Sequence, residues 1–280
     1  MGNNFLSEFI RKSIEEDLGD GDHSSLACIP PEASGKAKLL IKEDGILAGV
    51  RIASEVFKEI DKDLKCEILI EDGKRIHRGD IAFYVTGSQQ SILKSERLVL
   101  NILQRMSGIA TSTDQYVSRV AGTKARILDT RKTTPGLRFL EKEAVRIGGG
   151  LNHRMGLFDM IMLKDNHIVY AGGIEKAIKK TLEYLEKTGR NLKIEIEARN
   201  HDEVTRILDT GGVNRIMLDN FNPEDTKTAV RTIAGRYETE SSGGITLETV
   251  RVYAECGVDF ISVGALTHHI NSLDMSLKAL

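Results

Sequence analysis

The chain has 280 residues, 40% of them apolar, which suffices for one large domain or for a barrel with a smaller companion. Its net charge of −2 argues against general nucleic-acid binding, and no apolar run approaches the roughly 20 residues of a membrane span. Cys28, Cys66 and Cys256 lie far apart without a CxxC pair, so neither a zinc site nor a disulfide framework is indicated and a reduced, cytoplasmic protein is expected.

At the start no signal peptide is visible, and Gly2 is followed by Leu6 where a myristoylation signal needs Ser or Thr. Phe5, Leu6, Phe9, Ile10, Ile14 and Leu18 repeat at helical spacing, so the chain opens with an amphipathic helix. Gly19-Asp20-Gly21-Asp22 is a turn signal, read as punctuation with no helix after it. Strands are expected over 36–43, 64–70 and 81–85, with a helix carrying Ile52, Val56, Phe57 and Ile60 between the first two. Asp72-Gly73 and Arg78-Gly79-Asp80 read as turns; with no export signal, the latter is a tight turn before a strand rather than an adhesion motif. Ser95 reads as an N-cap with Glu96 behind it, starting a helix with an apolar stripe from Leu98 to Met106. Gly108 interrupts that stripe, and a second helical stretch runs to about Val120, marking a junction between two units. Arg97 falls in the first turn of this helix and is unremarkable by itself.

After Gly122 short apolar strands alternate with helices: 125–130, 159–163, 193–198, 214–220, 236–242 and 259–265. Helices fill the gaps at Ile174 to Lys187, Glu203 to Leu208, Pro223 to Ile233 and Leu247 to Ala254. This alternation implies a parallel sheet with right-handed crossovers. The near-equal spacing of the last four strands favours closure into a barrel of about six strands. The strands end in Asp129 and Arg131, Lys164 and Asp165, Glu195 and Glu197, Asp219 and Asn220, Glu240 and Ser241, and Gly264. In barrels the chemistry lies at that C-terminal rim.

Residues 129–167 concentrate cations and glycines: Arg131, Lys132, Arg138, Lys142, Arg146, Arg154 and Lys164, with His153 and His167 among them. Such a set suits an anion with several negative groups, the alternative being a basic surface loop. Ser241 to Gly244, before a helix, and Val263-Gly264-Ala265 form two glycine-bearing loops after the last two strands, the usual place for a phosphate in a barrel. Glu197 and Asp219 could hold Mg2+ or ribose hydroxyls, or neutralise Arg131 or Lys164. Lys132 and Lys164 could each form a Schiff base, and His153 could be a general acid or an anion donor. His268 and His269 follow no metal-ligand pattern and read as caps of the last helix.

DTRKTTPG, the GGG-x-NHRMGL-x-D run, LKDNH, MLDNF, ESSGGIT and SVGALTH, in that order, resemble the motifs of the quinolinate phosphoribosyltransferase family. The resemblance runs from about residue 16 to the C-terminus. It implies phosphoribosyl transfer from phosphoribosyl pyrophosphate to quinolinate, giving nicotinate mononucleotide, pyrophosphate and CO2 in NAD biosynthesis. It also implies an α/β protein with an N-terminal α/β sandwich (1–108), an α/β barrel (109–267) and a C-terminal segment (268–280) returning to the sandwich. By the same resemblance Arg131, His153, Arg154 and Lys164 bind the dicarboxylate, and Arg97 reaches that pocket from the other subunit of a homodimer. Assembly beyond the dimer is left open. Thr130 joins the substrate site, and Lys132, Glu197 and Asp219 serve the sugar-pyrophosphate and Mg2+. Ser242, Gly243, Gly244, Val263, Gly264 and Ala265 hold the 5′-phosphate. Lys132, Lys164, Glu197 and Asp219 are the catalytic set. Two departures from the pattern, His23-Ser24-Ser25 and Ala198-Arg199, lie beside the matched positions. A phosphoribosyltransferase with another acceptor, a Schiff-base aldolase and a non-catalytic anion sensor are the competing readings.

Overall fold

The apolar spacing at the start gives α1 (Asn3–Leu18), which ends where Gly19 takes a φ of +51°. The computed structural model describes residues 3–280, with side chains from Phe5 onward; the Gly2 reading lies outside the described residues. A short helix, α2 (His23–Cys28), follows the Gly-Asp turn, contrary to the expectation of plain punctuation. Asp22 caps it, accepting from the Ser25 N–H at 3.1 Å and from the Ser25 hydroxyl.

The chain divides into two compact units: residues up to Ser112 together with Ile270–Leu280, and Thr113–His269. The first unit continues with β1 (Ser34–Ile41), β2 (Gly45–Ile46), α3 (Val50–Ile60), β3 (Lys65–Ile68), β4 (Arg75–Ile76) and β5 (Ile81–Ser88). β1 pairs antiparallel with β5 on one side and with the C-terminal strand Met275–Ala279 on the other, and β3 completes the sheet beyond β5. α3 buries Val56 and Phe57, and Phe57 meets Phe83 of β5 edge-on at 5.8 Å, so a helix layer covers the sheet. Arg78-Gly79-Asp80 is a tight turn, with Gly79 at φ +100° and the Asp80 N–H bonded to His77 O at 3.0 Å.

The two expected helical stretches are one helix of 31 residues, α4 (Gln89–Arg119). Nothing between Gln89 and Lys94 breaks a helix, so it starts directly from β5, with the Ser88 hydroxyl accepting from the Ser91 N–H at 3.3 Å. Ser95 is therefore no N-cap: it is fully buried inside the helix and donates back to Ile92 O at 2.7 Å. Arg97 lies in the third turn, not the first, and is exposed. Gly108 does not interrupt the helix. A Cβ there would sit 2.2 Å from the Asn271 carbonyl oxygen, so glycine lets the returning C-terminal segment touch the helix backbone.

The second unit holds β6 (Arg126–Leu128), α5 (Arg138–Ile147), β7 (Ile161–Leu163), α6 (Asp165–Ala171), α7 (Ile174–Thr188) and β8 (Ile194–Ala198). It goes on with α8 (His201–Thr210), β9 (Arg215–Asp219), α9 (Pro223–Ile233), β10 (Glu238–Ser242), α10 (Val250–Glu255), β11 (Phe260–Ser262) and α11 (Ala265–His268). All six strands are parallel, in the order β6-β11-β10-β9-β8-β7. The first strand pairs with the last, the cyclic order of a barrel, instead of reversing mid-sheet as in a doubly wound fold. At the seam between β6 and β7, Leu151 forms a parallel bridge to Leu128, so the segment before β7 lies along β6.

Strand alternation sorts the side chains. Ile194, Ile196, Ile216, Leu218 and Ile261 are buried on one face. Glu195, Glu197, Arg215, Met217, Asp219, Glu240, Ser242 and Ser262 occupy the other, which is the barrel interior. The interior is polar. Asn200 and Asn222 cap α8 and α9, with Pro223 in the first turn of α9, and turn the chain sharply at the strand ends. α10 begins at Val250, three residues later than expected, because Thr246 and Thr249 form a turn first.

Candidate active site

The C-terminal ends of the barrel strands surround a cavity of about 550 Å3. Thr130, Arg131 and Lys132 enter it from the end of β6, Lys164 from β7, Glu197 from β8 and Asp219 from β9. His153 and Arg154 come from the seam segment. Ser242, Gly243 and Gly244 follow β10, and Val263, Gly264 and Ala265 follow β11. Each barrel residue singled out for the site thus lines one cavity. Arg97 lies on α4, in the first unit, and is exposed.

The basic stretch 129–167 splits by role. Arg131, Lys132, His153, Arg154 and Lys164 face the cavity. Arg138 staples the loop, donating to the Thr133 hydroxyl at 3.0 Å and to Met155 O at 3.2 Å. Arg146 pairs with Glu143 on the outside of α5. His167 Nδ1 accepts the Lys164 N–H at 3.0 Å and closes the first turn of α6. Lys142 is fully buried against Asp129. Gly149, at φ +88°, and Gly150 end α5 rather than cradle an anion; a Cβ on Gly150 would meet Val145 and Thr113 at 2.8 Å.

Arg131 and Arg154 lack a carboxylate partner among the described ion pairs. Arg154 is 9% exposed and donates to Met160 O at 3.3 Å. Burial, then the charge of Arg131, pushes its guanidinium down from the usual arginine range. Arg131 keeps its Nε buried without a hydrogen-bond partner. Two neighbouring guanidiniums with spare donors call for an anion. Lys164 is neutralised instead: its ammonium contacts Glu197 Oε1, and the Asp165 N–H donates to Oε2 at 3.3 Å. Arg199, which departs from the family pattern, turns away to Glu203 at 2.7 Å.

Glu195 and Glu240, expected at the rim, are fully buried one interior layer deeper. His153 Nε2 lies 2.9 Å from Glu195 and 3.4 Å from Glu240, and Arg215 binds Glu240 at 2.9 Å. Burial and the charge of Glu240 push Glu195 up to about 7. Burial opposes a charge on His153, but the two carboxylates outweigh it and raise the imidazole to about 9. The Arg154 N–H donates to His153 Nδ1 at 2.7 Å, a bond that requires the neutral ring with its proton on Nε2, so charging the imidazole costs this bond and offsets part of the pull of the carboxylates. The His-Glu-Glu trio has the spacing of a metal site, yet the Arg215 guanidinium already supplies its cation.

The loops after β10 and β11 bring glycines to the cavity. Gly243 and Gly244 have φ of +99° and +61°, and Asn220, at φ +57°, packs against them with its N–H on Ser242 O at 2.8 Å. A Cβ on Gly243 would fall 2.2 Å from Asn220 Oδ1. Because α10 starts late, the loop 242–246 and not a helix end lines the cavity. His268, expected as a cap, lines the cavity beside Gly264 and Lys132. Burial, His269 and Lys132 push its imidazole down. Its spacing of four from Gly264 in a helical turn was the available signal.

Comparison with known proteins agrees over the whole length. Residues 22–107 match the family model for the quinolinate phosphoribosyl transferase N-terminal domain, and 109–278 that for its C-terminal domain. The chain is 46% identical, over an alignment 288 positions long, to quinolinate phosphoribosyltransferase (decarboxylating) 2b, mitochondrial, of Nicotiana tabacum, covering 98% of this chain and 82% of that one. It is 40% identical to a probable nicotinate-nucleotide pyrophosphorylase (carboxylating) of Bacillus subtilis, covering 97% and 92%. The solved nicotinate-nucleotide pyrophosphorylase of Francisella tularensis superposes with a TM-score of 0.94 at 38% identity, covering 100% and 98%. With both domains, the motif order and the cavity in agreement, the chain belongs to the quinolinate phosphoribosyltransferase family.

Proposed function

We infer that this cavity transfers the phosphoribosyl group of phosphoribosyl pyrophosphate to quinolinate, with loss of CO2, to give nicotinate mononucleotide and pyrophosphate. The carrying observation is the meeting of two anion-binding features in one cavity: the guanidiniums of Arg131 and Arg154 without a carboxylate partner, and two glycine loops. A pyridine dicarboxylate fits the first and a sugar phosphate the second. Lys132 and Lys164 line the same cavity. Attack of the ring nitrogen on the sugar displaces pyrophosphate and builds oxocarbenium character, which the carboxylates of Glu197 and Asp219 stabilise. Loss of CO2 leaves a carbanion beside the now cationic ring nitrogen; the cation wall stabilises it until a proton arrives. The Schiff-base reading is disfavoured for Lys164, since an ammonium held by Glu197 has no lone pair for a carbonyl.

Glu197 and Asp219 offer hard carboxylate oxygens beside the phosphate wall, the donor set Mg2+ takes together with substrate phosphates. The ion would offset pyrophosphate charge when bound. The test is incubation with quinolinate, phosphoribosyl pyrophosphate and Mg2+, scoring nicotinate mononucleotide and CO2. Nicotinate, with one carboxylate fewer, should react at least about tenfold more slowly, because a buried guanidinium loses its partner. Equal turnover of both acceptors would reject the dicarboxylate site.

The same proposal includes a homodimer in which Arg97 completes the partner's cavity. Arg97→Ala and Lys164→Ala homodimers should both be nearly inactive, and an equal mixture co-refolded with random exchange should regain about a quarter of wild-type activity, since about half of the dimers are hybrids and each hybrid has one intact site by two-fold symmetry. No recovery in hybrids verified by mass spectrometry would remove the shared site. Cytoplasmic placement is also proposed. The Nicotiana tabacum relative is named mitochondrial, so cell fractionation is the deciding measurement. Among the described residues no helix is long and apolar enough to cross a membrane.

A further inference from the structure

We propose that Asp129 and Lys142 are positioning residues for the acceptor subsite: they lock residues 152–154 onto the end of β6 and so set Arg154 beside Arg131 before any anion enters. The proposal rests on the quinolinate reading of the cavity.

Both side chains have no exposed surface. Lys142 Nζ donates to Asp129 Oδ1 and to His153 O at 3.0 Å. The same Oδ1 accepts the His153 N–H at 2.8 Å. Asn152, with its amide nitrogen facing inward, reaches Asp129 Oδ2 at 2.7 Å and Lys142 O at 2.8 Å. These bonds begin where the backbone ladder stops. Leu151 exchanges backbone hydrogen bonds with Ile127 and Asp129, at 2.8 and 3.1 Å, and β7 shares no ladder with β6. The buried pair therefore continues the barrel seam in side chains for the residues that aim His153 and Arg154.

Such a pair is a poor choice for stability alone. Burial pushes Asp129 up to about 6 and Lys142 down, both toward neutrality, and an apolar pair of similar volume commonly serves stability as well or better. What apolar side chains cannot do is accept the His153 N–H and hold its carbonyl at once. The need for a hold is electrostatic. Arg131 and Arg154 repel each other, and without a rigid seam an empty cavity would let them separate.

The test compares wild type, Lys142→Met, the double variant Asp129→Leu with Lys142→Met, and Asn152→Ala. Thermal unfolding is followed together with KM for quinolinate and KM for phosphoribosyl pyrophosphate. In the double variant Tm should stay near wild type, while KM for quinolinate rises about tenfold or more and that for phosphoribosyl pyrophosphate changes less than about twofold. Asn152 is exposed, so Asn152→Ala should fold normally and raise the quinolinate KM about threefold with the same selectivity. A purely structural pair would have the apolar replacement restore both Tm and quinolinate KM, and that result overturns the proposal. So do equal rises for both substrates. If the double variant does not fold, an unchanged quinolinate KM in Asn152→Ala overturns it alone. A wild type that does not turn over quinolinate rejects the functional reading, and the proposal with it; a working wild type with unselective variants rejects only the positioning role.

Discussion

The two walls of the cavity recognise negative charge by different means. Arg131, His153 and Arg154 offer charged side chains, whereas Gly243, Gly244 and Gly264 have only backbone to offer. The backbone wall needs little beneath it, because Gly243 at φ +99° and Gly244 at φ +61° set the direction of their own amides. The side-chain wall needs a scaffold. Arg138 staples its loop, Asp129 and Lys142 hold its seam, and Glu195, Glu240 and Arg215 surround its histidine. A flexible cation becomes specific only when buried polar partners hold it, and those partners come from distant parts of the chain.

The largest effect should come from stripping the side-chain wall. Arg131→Ala should lower kcat/KM for quinolinate by about a hundredfold or more, the loss of a charge-assisted contact plus an unpaired substrate carboxylate. KM for phosphoribosyl pyrophosphate should barely move. A parallel loss for both substrates would mean the walls are not separate. The backbone wall should break more gently. Gly243→Ala strains a φ of +99° and presses on Asn220, so the affinity for phosphoribosyl pyrophosphate should fall about tenfold. Gly244→Ala, with no atom within 4 Å of the new Cβ, should cost stability by about 1 kcal/mol and affect binding less. Equal binding losses for the two variants in calorimetry would argue against Asn220 as the cause.

The smallest effect concerns the scaffold. The folded-state imidazole of His153 is raised to about 9, above its ordinary 6.5, so its protonated form favours the folded chain. That stability is fully present below pH 6.5 and is lost as pH rises through about 9. Because the Arg154 N–H already uses the Nδ1 lone pair, the change should be only about 1 kcal/mol. Asp129 and Glu195, raised to about 6 and about 7, act with the same sign at lower pH. Urea unfolding at pH 6.5 and pH 9 checks the sign, and His153→Gln should flatten the difference. Stability that climbs with pH would contradict these shifts.

Local chemistry was legible in the sequence. Short apolar strands alternating with helices, and glycines after β10 and β11, were enough to place the six strands, the helices α7 to α10 and Glu197, Asp219 and Gly243 at one rim, whereas α5 and α6 were not read. Each of those signals acts within a few residues and survives in a bare string. The chain alone left open which of the cations in 129–167 meet the cavity. Arg131 and Arg138 look alike in sequence, but one has a buried donor without a partner and the other is spent on Thr133 and Met155. Lys142 reads as a surface lysine until the seam closes over it. Gly108 reads as a helix break until Asn271 returns to its backbone. Tertiary structure decided these three because each depends on a neighbour far along the chain, and a residue's solvent exposure and partners are properties of the folded packing, not of its immediate sequence.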